Sequence, residues 1–115
     1  NIMAIVQSIN SVYQFEAAFK EAGRSEQFSW EGLKALFDYL NNLSDDIGRP
    51  IELDVVALCC DYTEDSYSNI AKDYSIKLTN AEDEDQAKQI VIDYLQDNTS
   101  YVGEGEDDNL VYAVF

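Results

Sequence analysis

The sequence has no histidine, one proline and only seven basic residues. Without histidine, Ser-His-Asp triads and the common histidine-based zinc sites are excluded. Its two cysteines, Cys59 and Cys60, are neighbours. Disulfide scaffolds disperse several cysteines, a redox motif needs two residues between them, and two ligands are too few for structural zinc. Both cysteines are expected to be small buried apolar residues, on opposite faces of a strand. Glycine-rich phosphate loops are also missing, because the glycines of "GEGEDD" stand among acids that repel phosphate. No apolar run approaches a membrane span, and Ile2 to Val6 is too short and lacks the basic flank of a signal peptide. A cytosolic setting with no membrane partner is expected.

What is present is enough apolar surface for a core. The 115 residues are 46% hydrophobic and 12% aromatic, which is not the composition of a disordered acidic tail. One domain, residues 1–115, is expected. The β-branched run "IMAIVQSI", Ile2 to Ile9, reads as a first strand. Asn10 or Ser11 then caps a helix to about Ala22, with Val12, Phe15, Ala18, Phe19 and Ala22 on one face and Gly23 as its stop. A longer helix begins at the cap Ser29, stapled by Phe28 and Leu33, and carries Leu36, Phe37, Leu40 and Leu43 to Gly48 and Pro50.

"IELDVVALCCDY" follows, alternating at first and then apolar on both sides, the pattern of an inner strand. "SYSNIAKDYS" predicts a short helix capped by Ser66, with Tyr67, Ile70, Ala71 and Tyr74 inward. Another helix is predicted from Thr79 or Asn80 to about Gln96, burying Ala87, Ile90, Val91, Tyr94 and Leu95. "TSYVGEGEDDNLVYAVF" reads as a hairpin around an acidic loop. The class is α+β: a mainly antiparallel sheet of about four strands with three to four helices packed on it.

Charge is the outlier. Twenty-three acids against seven bases give −16 at pH 7. Residues 1–50 hold seven acids and four bases, net −3, whereas residues 51–115 hold sixteen and three, net −13. Three runs supply much of it: Asp61, Glu64 and Asp65; Glu82, Asp83, Glu84 and Asp85; and Glu104, Glu106, Asp107 and Asp108. Acids at Glu82 to Asp85 suit a helix N-terminus, where free amides and the dipole stabilise them. Local capping does not account for the remainder. Such a surface deters direct binding to nucleic acid and favours basic partners. A calcium loop started at Asp97 fails, since Val102 stands where the invariant glycine belongs. No catalytic residue, metal ligand or cofactor is expected.

"FSWEGLKALFDYL" and "ELDVVALCCDYTE", within Gln27 to Asp65, resemble a segment of small acidic bacteriophage-encoded proteins of unknown role. The resemblance spans about a third of the chain, is carried by core positions, and implies a shared fold without catalytic residues. In size and charge the chain is similar to phage antirestriction and anti-CRISPR inhibitors, many of which mimic DNA. That resemblance implies an inhibitor whose acids enter a basic groove of a host nucleic-acid-binding protein, in the host cytosol. The eleven acids of the three runs are the expected contacts. The alternative is an adaptor or regulatory subunit using an apolar patch at Trp30, Tyr67 or the aromatic C-terminus.

Overall fold

The computed structural model describes residues 11–49 and 51–115. The strand expected at Ile2 to Ile9 lies outside them, as does Pro50. Among the described residues the chain is α+β, with five helices and a three-stranded antiparallel sheet.

Helix α1, Val12–Glu21, starts where the Ser11 hydroxyl accepts from the Gln14 amide, and Gly23, at φ 72°, turns the chain out of it. Phe15 and Phe19 face inward as their spacing demands; Ala22, expected on that face, is exposed. Helix α2, Trp30–Ile47, begins at Ser29, whose hydroxyl accepts from the Gly32 amide, and closes on Gly48 at φ 73°. Leu33, Leu36 and Leu40 bury its inner stripe, and Phe28 joins the same cluster.

The next segment overturns an expectation. Val55–Asp61 is not an inner strand but a short helix, α3. Asp54 is extended, and its carboxylate caps the helix by accepting from the Ala57 amide at 3.0 Å. Val55, Leu58, Cys59 and Tyr62 pack on the core at helical spacing, while Val56 and Cys60, one turn apart, face outward. Cys59 is therefore half-buried, and Cys60 is exposed rather than a core residue. Burial pushes the Cys59 thiol up, with Arg24 opposing and Cys60 adding to the rise.

Strand β1, Tyr62–Ser66, follows directly, in a segment too acidic to be expected as a strand. Ser66 then caps α4, Tyr67–Asp73, as its spacing predicts. Helix α5, Glu84–Asn98, starts later than expected. Leu78 to Ala81 instead form a turn, Ala81 N–H donating to the Leu78 carbonyl. Asp83 is the cap: it accepts from the Gln86 amide, and the Gln86 side chain accepts from the Glu82 amide. Strands β2, Tyr101–Glu104, and β3, Asn109–Ala113, form the expected hairpin.

The sheet order is β1-β3-β2. Glu64 lies opposite Val111 and Asp65 opposite Leu110, while a bulge separates the Tyr101–Tyr112 and Gly103–Val111 pairs. Because successive strand residues alternate sides, Val111 serves one core and its neighbours Leu110 and Tyr112 serve the other. Helices α1, α2 and α3 cover the first face, around Phe15, Phe19, Leu36 and Val111. Helices α4 and α5 cover the second, around Ile70, Val91, Leu95 and Leu110. The sheet is thus sandwiched, with a separate apolar cluster on each side.

Candidate acidic interaction surface

The three acidic runs meet different fates. Glu82, Asp83, Glu84 and Asp85 are exposed at the start of α5. Asp83 is committed to its cap, and Glu84 and Asp85 occupy the first turn, where the helix dipole favours them. Glu104, Glu106, Asp107 and Asp108 are exposed around the β2–β3 turn. Gly105 N–H donates to the Asn109 carbonyl, and Asn109 N–H donates to that of Glu106, closing the turn. Asp107 sits at φ 53°, a left-handed conformation that aspartate tolerates better than most residues.

These two runs, distant in sequence, are brought together in space. Lys88, one helical turn or roughly 6 Å along α5 from Glu84, forms an ion pair with Glu104. Tyr67 lies between them. Its amide donates to the Asp108 carbonyl at 3.1 Å, and burial, Glu84 and Asp108 together push its phenol up while Lys88 pulls it down. The two acidic runs, eight carboxylates in all, thus meet at one largely covered ammonium. Among the described residues the ion pairs are Glu16–Lys20 and Lys88–Glu104, so the other seven of those carboxylates have no cationic partner there.

The third run does not join them as a unit. Asp61 is exposed, but it lies beyond the other end of β1, whose length of roughly 13 Å separates it from the turn. Asp65 is half-buried and accepts from the Ser66 amide at 2.8 Å and from Asn69 Nδ2 at 3.0 Å. Glu64 points to the α2 face, where Oε1 accepts from the Ser29 amide (2.9 Å) and hydroxyl (3.0 Å). Its Oε2 accepts from Asn109 Nδ2 (2.9 Å) and the Glu106 amide (3.3 Å). A polar depression of about 370 Å³ opens beside it, bordered by Gln27, Ser29, Glu106 and Asn109. Ser29 and Asn109 were not expected to belong to this side of the molecule; Ser29 was legible only as a cap, and nothing local marks Asn109.

Exposed aromatics also pair. Tyr13, 70% exposed, and Trp30, 36% exposed, set their rings 5.1 Å apart between α1 and α2. At the far end of the sheet Phe115 stacks on Tyr74 at 4.5 Å, and Tyr94 and Tyr112 close around it. Among the described residues no group of three or more His, Cys, Asp or Glu is placed to hold a metal ion. Nor, among them, is any helix long and apolar enough to cross a membrane. The chain matches no family model, no curated protein and no solved structure.

Proposed function

We propose that this chain is a non-enzymatic inhibitor of the phage type its sequence resembles. In this reading it presents an acidic, DNA-like surface to the basic groove of a host nucleic-acid-binding protein in the cytosol. The observation that carries this reading is the convergence of the α5 N-terminus and the β2–β3 turn around Tyr67 and Lys88. Duplex DNA presents one negative charge per roughly 1.7 Å of axis, and its partners answer with basic clefts that steer association. Carboxylates on a capped helix and a closed turn are ordered before docking, so they lose less entropy than acids on a flexible tail. Glu82, Glu84, Asp85, Glu106, Asp107 and Asp108 are the principal contacts, with Asp83 and Glu104 at their margins. Asp61 stands apart, and Glu64 and Asp65 support the surface from within.

The test is capture from nuclease-treated bacterial lysate, with elution in salt steps. A discrete nucleic-acid-binding protein should bind at low salt and elute at moderate salt. Reversing the six principal charges, with the cap Asp83 and the ion-paired Glu104 kept, should abolish capture while leaving the circular dichroism unchanged. Capture that survives the reversal rejects this surface. A second reading, an adaptor using apolar contacts, rests on the exposed Tyr13–Trp30 pair. It requires a partner that resists high salt and is lost with Trp30→Ala.

A further inference from the structure

Glu64 is built into the fold differently from the acids around it. In a capping box, the side chain at the third helical position reaches back to the amide of the N-cap. In α2 that position is Gly32, which has no side chain to offer. The Ser29 amide is instead satisfied by Glu64, from a strand 35 residues further along the chain. Its carboxylate lies where a Cβ on Gly32 would have to go. Gly105 leaves room for the same carboxylate from the opposite side, since a Cβ there would also overlap it. One side chain therefore explains the absence of a side chain at both glycines.

The network also uses every hydrogen-bonding group of the Ser29 hydroxyl. It donates to Glu64 Oε1 and accepts from the amides of Gly32 (3.0 Å) and Glu106 (3.1 Å). The Glu106 amide is thus shared between Ser29 and Glu64, and Asn109, at the other end of the turn, holds Glu64 Oε2. Both ends of the acidic turn are tied to the start of an 18-residue helix by one carboxylate.

We infer that Glu64 is a positioning residue: it clamps the Glu106–Asp108 turn to α2 and so holds the turn's carboxylates in register with those of α5. Its consequence for binding rests on the acidic-surface reading above; the clamp itself rests on geometry. Charge-assisted hydrogen bonds to a carboxylate are the stronger kind, and those from Ser29 and Asn109 are partly buried. Without them the turn keeps its charge but loses its fixed placement, and ordering it on docking weakens binding.

Two substitutions separate clamp from charge. Gly105→Ala changes no charge, and φ at 105 lies outside the left-handed region, so the new methyl acts through Glu64. Glu64→Gln keeps the shape and one acceptor for Ser29, but turns the other oxygen into a donor facing Asn109 Nδ2 and the Glu106 amide. The measurements are amide hydrogen exchange at Ser29 and Glu106 by NMR, and low-salt affinity for a synthetic arginine-rich peptide. Both variants should speed exchange at Glu106 about tenfold, with Ser29 less affected in Glu64→Gln. Both should weaken the peptide about fivefold, whereas Glu52→Gln, which removes a charge elsewhere, should leave Glu106 exchange unchanged. Unchanged exchange at Glu106 in both variants overturns the clamp. Faster exchange with undiminished affinity overturns the positioning role, and Asp107→Lys with Asp108→Lys then shows where the fault lies. If that reversal weakens the peptide, only positioning fails; if it too has no effect, the acidic-surface reading fails with it. Should Gly105→Ala not fold, Glu64→Gln carries the test alone.

Discussion

The two faces of the sheet are covered by successive parts of the chain, and they are built differently. The face under α1, α2 and α3 is filled by Phe15, Phe19, Phe28 and four leucines. The face under α4 and α5 has a smaller aliphatic centre, Ile70, Ala71, Val91, Leu95 and Leu110, ringed by Tyr67, Tyr74, Tyr101 and Tyr112. Charge leans the same way: residues 1–61, through α3, hold ten acids and four bases, net −6, and residues 62–115 hold thirteen and three, net −10. The comparison shows how so acidic a segment still folds. Tyrosine covers apolar surface with its ring and keeps its hydroxyl at the margin, so it can adjoin carboxylates that a phenylalanine rim would leave poorly solvated.

The largest expected effect is in the first core. Phe19→Ala should cost about 3–5 kcal/mol in urea unfolding, because a rigid aromatic core relaxes little around a cavity. Leu95→Ala on the second face should fall toward the low end of about 2–5 kcal/mol, since partly exposed tyrosines can close over the space. A larger loss at Leu95 than at Phe19 would invert the comparison.

Alkali should discriminate between the faces next. Burial is the main cause that pushes Tyr101 and Tyr112 on the second face, and Tyr62 on the first, up to about 12. In the unfolded chain these phenols ionise near 10. Between those values the unfolded state binds fewer protons than the folded one, so stability falls as pH rises. The urea midpoint should show no contribution from these tyrosines below pH ~10 and should drop between ~10 and ~12. Replacing Tyr101 and Tyr112 together by phenylalanine should flatten that drop more than Tyr62→Phe does. Equal flattening would remove the distinction.

The smallest effect compares two helix ends. At the end of α1 the amides of Gly23 and Arg24 donate to the carbonyls of Lys20 and Phe19. At the end of α4 those of Ser75 and Ile76 donate to Lys72 and Ala71, the same arrangement on the other face. Gly23 takes φ 72° without strain, whereas Ser75 holds φ 55° against its own Cβ. Ser75→Gly should therefore raise stability by about 0.5–1 kcal/mol and Gly23→Ser should lower it similarly, both read as shifts in Tm.

Elements whose signals are local were legible. Ser11, Ser29 and Ser66 each cap the helix their positions predict, and the stripes of α1, α2 and α5 bury their apolar residues with few departures. The hairpin followed from its turn. Val55–Asp61 was misread because a short apolar run has no visible period until Asp54 is recognised as its cap. "YTEDS" was missed as a strand because acids rarely favour one; it pairs with β3 because Tyr62 and Glu64 find partners on α2. Of the candidate surface, the runs at 82–85 and 104–108 were evident as charge, while their proximity was not.

The sequence by itself determined where α1, α2 and α4 begin, that the chain has a core, and that its charge gathers in residues 51–115. Those properties depend on residues three or four apart or on composition alone. Only the tertiary structure decided that Glu64 lies inside a network while Glu84 and Asp108 flank Tyr67 from two segments. A carboxylate reads the same in a sequence whether water or four donors surround it. The pairing of β1 with β3, set by burial on both faces of the sheet, is what separates the two.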